Sequence, residues 1–233
     1  MDHASLTEPH ASGAAGPNPQ PPLDCDTPLA RGWAAALWLL VFAWLAGFAI
    51  PAIADVVQVL DDRVYELARA VEQDAPVAIA SLFDLFGGTW AMAAAMAVVA
   101  LVLAWQRRGP GLLVWLAAMG LSQGLNVFIK ALYERPRPPD GLVEEHSWSF
   151  VSGHSLTAAA VAITLVLVFV PTGAHRRTWL VVAVGYAVVM AASRVYLRAH
   201  WLTDTVVGIT IGAACAVAMA LAASWWQARS EGR

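Results

Sequence analysis

Charge is scarce in this 233-residue chain. Asp, Glu, Lys and Arg make up 13% of it, about half the share of an ordinary soluble domain. The net charge of −3 gives no electrostatic support for nucleic-acid binding. Cysteine is nearly absent too. Cys25 and Cys215 stand far apart, one in a polar stretch and one in an apolar run. That pattern excludes a disulfide framework and a cysteine-based zinc site. Lysine is rarest of all: Lys130 is the sole lysine, against 13 arginines. What the chain has in excess is apolar surface, with 59% hydrophobic residues and a mean hydropathy of +0.60.

The apolar residues fall into runs. A bilayer core takes about 20 of them per helix. Six spans are expected, at 33–53, 82–105, 111–132, 153–171, 179–197 and 202–224, in an all-α, six-transmembrane-helix bundle. Trp33, Trp105, Trp179, Trp201, Trp225 and Trp226 sit at span ends, as interfacial anchors do. The basic turns 106–109 and 174–177 are expected to face the cytoplasm. Segment 55–76, with six acids against two arginines, is expected outside, partly as an amphipathic surface helix over 60–76. N- and C-termini are then both cytoplasmic. Residues 1–30 carry six prolines and read as a disordered cytoplasmic tail. The membrane domain covers 31–228, and 229–233 form a short second tail.

Ionisable groups inside a membrane are costly, so they collect where pairing or chemistry requires them. Here they share one depth. Lys130 closes the third span. Nineteen residues after Gly111, it lies about 28 Å along the helix, at the outer interface. His154 opens the fourth span, Arg194 lies near the end of the fifth, and His200 and Asp204 open the sixth. Gln123, Asn126 and Lys130 occupy one helix face, predicted to look into the bundle.

Several residue types match phosphate chemistry. Arg137 and Arg194 can each fork onto phosphate oxygens, and Lys130 adds a point charge. Ser152 can donate a hydroxyl. Gly153 lets the backbone approach an anion at the start of a helix. His200 and Asp204, four residues apart, share a helix face, so the carboxylate can orient the imidazole as in a triad. His200 is then a candidate nucleophile, and His154 a candidate general acid. Arg135 and Arg198 read as supporting the site or binding lipid headgroups. Asp84 either pairs with a site arginine or caps its helix. Glu144, Glu145 and His146 are too close in sequence to make a good metal site and read as a solvated loop.

Three stretches carry a resemblance: "KALYERPRP" (130–138), "SGH" (152–154) and "SRVYLRAHWLTD" (193–204). Together they resemble the type 2 phosphatidic acid phosphatase (PAP2) superfamily, over residues 80–215. The first and third match in residue and spacing. The second has Val151 where the family usually has proline. The resemblance implies a membrane lipid phosphatase. In it His200 attacks phosphorus, His154 protonates the leaving group, and Lys130, Arg137, Ser152, Gly153 and Arg194 hold the phosphate. It implies no metal and no cofactor. The expected partners are the bilayer and a phosphorylated lipid, met at the extracytoplasmic face of a bacterial plasma membrane. Phosphatidic acid, phosphatidylglycerol phosphate and polyprenyl diphosphate all fit, and the residues leave the choice open, as they do the oligomeric state. Two other readings stay beside it. One is a phosphotransferase with an acceptor other than water. The other is a transporter, whose charges would extend to mid-membrane.

Overall fold

The computed structural model describes Cys25 and residues 27–230. Most of the expected N-terminal tail, and residues 231–233, lie outside the described residues. The described chain is all-helical, with eight helices: α1 Pro28–Phe48, α2 Pro51–Ala70, α3 Asp74–Gly87, α4 Thr89–Trp105, α5 Gly109–Tyr133, α6 Gly153–Phe169, α7 Ala174–Tyr196 and α8 Leu202–Ser230. Four of them (α1, α5, α7 and α8) are long and apolar enough to cross a membrane, and the α3–α4 pair adds a fifth crossing if counted as one bent span. Large apolar side chains such as Leu39, Leu101, Val127 and Val181 stand exposed along them, as lipid-facing residues do.

Local chemistry explains where the helices differ from the expected spans. The first begins at Pro28, with the Thr27 hydroxyl accepting from the Ala30 amide. It stops early because Ile50, held extended before Pro51, cannot continue a helix. Pro51 then opens α2, so the expected 60–76 surface helix begins sooner and ends sooner, at Ala70, with residues 74–76 in α3. The expected span 82–105 is two helices bent by 51°. Gly88 is extended at the joint. α6 has only 17 residues, and 11 of them are buried, so it is enclosed by protein on most sides.

α6 packs against α5, α7 and α8. Its tightest contact is with α8, through Gly208 and Gly212. A Cβ at Gly208 would lie 2.8 Å from the Ser152 carbonyl, and one at Gly212 would collide with the Leu156 carbonyl. This is the small-residue packing by which membrane helices approach closely. Gly212→Ala is therefore expected to destabilise the fold by at least about 1–3 kcal/mol, read as earlier thermal unfolding in detergent. α1 lies along α8. The Cys25 amide donates to Ser224 near the end of α8, and Phe48 meets Phe150 beside the start of α6. The C-terminal ends of α5 and α7 and the N-terminal ends of α6 and α8 thereby share one end of the bundle.

Candidate active site

At that end lies a cavity of about 310 Å³. Gln123, Asn126 and Lys130 from α5, Arg137 and Glu145 from the α5–α6 loop, Gly153 and His154 from α6, and His200 from the α7–α8 connector are among its lining residues. The predicted α5 face thus looks inward. Gln123 donates to Thr157 at 2.9 Å, and Lys130 donates to the Trp148 carbonyl. Gly153 lies against Asn126, where a Cβ would come within 3.2 Å.

Arg137 is held on several sides. Its Nε donates to the Ser147 carbonyl at 2.7 Å, and Nη1 to the Ala199 carbonyl at 2.6 Å. The same Nη1 lies 3.1 Å from His200 Nε2. His200 is 2% exposed. Its Nδ1 faces Asp204 Oδ2 at 3.6 Å and the Ser149 hydroxyl at 3.4 Å. The Asp204 contact is longer than a hydrogen bond. With Nδ1 turned to the protein, Nε2 is the nitrogen presented to Arg137 and the cavity. Burial pushes the His200 pKa down to about 3, against the nearby Asp204 carboxylate that raises it. The ring is therefore neutral at ordinary pH, the state in which a nitrogen keeps a lone pair for attack.

Asp204 is completely buried and heavily bonded. Its Oδ2 accepts from Ser149 and from the Trp201 amide at 3.0 Å. Its Oδ1 accepts from Arg135 at 2.6 Å. Arg135 reaches in the opposite direction as well, to Asp61 at 2.7 Å and Gln58 at 2.6 Å. Asp61 in turn accepts from the Thr203 amide at 3.0 Å. So α2, expected only as a surface helix, sends a buried carboxylate to support the site. Arg198 is paired with Glu72 at 2.6 Å.

Arg194, fully buried, pairs with both Asp84 and Glu145. Asp84 therefore takes the first of its two expected roles, pairing with a site arginine. Glu145 is a correction: it is not a solvated loop residue, because its two oxygens contact Arg194 and Arg137. Ligand atoms of Asp84, Glu145 and His154 lie within 4.8 Å of one another, and the cation between the carboxylates is Arg194. His154 Nε2 lies 3.4 Å from Asp84 without hydrogen-bonding geometry. It is one of three buried polar atoms around the site that lack a hydrogen-bond partner, with Asn126 Oδ1 and Arg194 Nε. Unpaired buried polar atoms are uncommon and costly, and their gathering here fits a site made for a polar guest.

Ser152 does not reach the cavity. It caps α6, its hydroxyl accepting from the Ser155 hydroxyl at 3.1 Å. Its amide donates to the Asp204 carbonyl at 3.1 Å, tying the "SGH" turn to α8. Val151, in the position usually held by proline, is fully buried.

The chain is similar to known proteins. The family model of the PAP2 superfamily matches residues 111–228. Phosphatidylglycerophosphatase B of Bacillus subtilis is 36% identical over 105 residues, which is 43% of this chain and 52% of that protein. The chain thus matches about half the length of this curated relative. The crystal structure of a transmembrane PAP2-type phosphatidylglycerolphosphate phosphatase from Bacillus subtilis superposes with a TM-score of 0.68 at 26% identity, covering 84% of this chain and 96% of that one. LpxE of Aquifex aeolicus shares the fold, with a TM-score of 0.57 at 20% identity over 69% of this chain and 94% of its own.

Proposed function

The chain belongs to the PAP2 superfamily, and from that premise we propose that it is an integral membrane phosphatase acting on a lipid phosphate through a phosphohistidine intermediate. The observation that carries this reading is the convergence of His200, His154, Lys130 and Arg137 on one cavity, with Arg194 behind Glu145. Lys130, Arg137 and Arg194 hold the phosphoryl oxygens and spread their charge. His200 Nε2 attacks phosphorus, and the bond from phosphorus to the ester oxygen breaks. His154 protonates the departing alkoxide. The neutral His154 then takes a proton from water as that water attacks the phosphohistidine, releasing orthophosphate and freeing His200. Asp204 holds the His200 ring and stabilises its positive charge. The three cations supply the charge stabilisation that a metal ion gives in other phosphatases.

In this reading the chain crosses the membrane six times. The crossings are α1, the α3–α4 pair, α5, α6, α7 and α8, with both termini inside and the site at the outer face. The basic turns 106–109 and 174–177 support that orientation. A cavity between helix ends suits a lipid whose phosphate sits at headgroup depth and whose tail stays in the bilayer. The Bacillus subtilis relatives favour a phosphatidylglycerol phosphate-like substrate. Polyprenyl diphosphate is the second choice.

The test is orthophosphate release by purified protein in detergent containing EDTA, from phosphatidylglycerol phosphate, phosphatidic acid, lysophosphatidic acid and undecaprenyl diphosphate. Release that survives the chelator is expected, highest with phosphatidylglycerol phosphate. No release from any of them overturns the reading.

A further inference from the structure

We propose that Glu145 is an internal competing anion: it occupies the arginine forks in the absence of substrate, yields them to an incoming phosphoryl group, and retakes them as orthophosphate leaves. The inference rests on the phosphate site described above and names a regulator of that site.

The geometry is that of a stand-in ligand. Glu145 divides its carboxylate between two arginines, Oε1 toward Arg194 and Oε2 toward Arg137 at 3.3 Å. These are the two guanidinium groups assigned to phosphate. A phosphate bound bidentately to either needs N–H donors that Glu145 now holds. Charge makes the same case. Lys130 and Arg137 line the cavity with Glu145, Arg194 pairs with Asp84 and Glu145, and Asp204 is held apart with Asp61 on Arg135. With Glu145 withdrawn, three cations face one carboxylate, a balance suited to a dianion. With Glu145 in place the excess positive charge is halved.

The loop is built so that Glu145 can leave. It lies between two anchors, the Leu142 amide on the Leu197 carbonyl at 2.9 Å and the Ser147 carbonyl, which accepts from Arg137 Nε at 2.7 Å. Between them no helix forms, and Glu144, His146 and Ser147 are exposed. Asp84, by contrast, is fixed on α3. An internal anion lowers affinity for every phosphate species by the factor that the closed state is favoured. That weakens binding of substrate and transition state alike, raising KM and leaving kcat unchanged, and it keeps the product from remaining in a strongly cationic site. A purely cationic cradle would bind orthophosphate tightly and be slow to release it.

The experiment is a thermal-shift titration of orthophosphate at pH 8 on the full chain in detergent, for wild type, Glu145→Gln, Glu145→Asp and Glu144→Gln. The Ki of orthophosphate against lipid phosphate turnover serves as a second measure. Glu145→Gln should bind orthophosphate about tenfold or more tightly, with the Ki and KM falling together. Glu145→Asp, too short to span both arginines, should fall between it and wild type. Glu144→Gln removes the same charge from an exposed neighbour and should change nothing. Unchanged or weaker binding in Glu145→Gln overturns the proposal and makes Glu145 a scaffold for the arginines. An equal gain in Glu144→Gln overturns it in favour of general electrostatics. The two readings fail separately. Tighter orthophosphate binding without hydrolysis of any lipid phosphate sinks the phosphatase assignment alone. Hydrolysis without the gain in affinity sinks the internal anion alone.

Discussion

His200→Ala is expected to abolish lipid phosphate hydrolysis, with kcat lower by about 10⁴-fold or more, since a nucleophile's loss removes the whole covalent route. The fold should survive. The His200 ring is buried, but its polar contacts, at 3.1 Å to Arg137 and 3.4 Å to Ser149, are not among those that anchor α8. Asp204 keeps Arg135, Ser149 and the Trp201 amide in the variant. Unfolding temperature and turnover should therefore separate. His154→Ala supplies the contrast. An alkoxide leaving from a lipid needs a proton, whereas the phenolate leaving from an activated aryl phosphate does not. The His154 variant should lose lipid phosphate turnover and retain formation of the phosphorylated enzyme from the aryl phosphate. The His200 variant should lose both. Stopping the reaction in base and measuring acid-labile, base-stable phosphate on the protein reads this directly. A His200→Ala protein that still turns over, or that still becomes phosphorylated, would sink the assignment.

How much of this was legible beforehand depended on whether a residue's role was written in its spacing. Lys130, His154, Arg194, His200 and Asp204 could be placed together because helix rise and span order put them at one depth, and Arg137 joined them through its motif. Ser152 fitted the same motif, but its hydroxyl is used by the helix start, which only the backbone path reveals. Asp61 was hidden among five other acids of segment 55–76, all of them exposed. A signal existed: Gln58, Asp61, Tyr65 and Ala68 recur at helical spacing, and they form the less exposed face of α2. An acid on the inner face of an amphipathic helix calls for a buried cation, and Arg135 and Arg198 were the arginines with no fixed partner. Glu145 gave no such signal. It lies in a helix-free loop, where periodicity is silent and only the path from Pro136 to Ser152 decides which of two adjacent glutamates turns inward. The breaks at Ile50–Pro51 and Gly87–Gly88 were visible as residue types but were outweighed by continuous apolar character, which reports burial in lipid or protein and not helix continuity.

Arg135 is where loss of a single side chain outside the cavity should do most damage. It joins two carboxylates that are completely buried, Asp61 and Asp204. Its guanidinium lies over the rings of Phe48, at 5.2 Å, and Trp201, at 5.5 Å. Thus α1, α2, the α5–α6 loop and the start of α8 meet on one cation. Arg135→Ala leaves two uncompensated charges in a dry environment, a loss of about 3–5 kcal/mol, or roughly 10 °C in the unfolding temperature. Asp204 would keep Ser149 and the Trp201 amide on Oδ2 but lose Arg135 on Oδ1, loosening its hold beside the His200 ring, so kcat should fall further than the unfolded fraction explains. Arg135→Lys separates the two effects. An ammonium restores the charge but cannot fork onto both carboxylates while lying over two rings. Much of the thermal stability should return, whereas kcat should stay low with KM near wild type, because the cavity's own cations are untouched. Asp61→Asn should act the same way more mildly, as Arg135 keeps Asp204 but loses its opposite tether. If kcat in these variants tracks only the folded fraction, Arg135 stabilises the bundle and has no part in orienting the histidine. If kcat falls in Arg135→Lys at nearly normal stability, the line from Asp61 through Arg135 and Asp204 to His200 is a positioning device, and α2 belongs to the site.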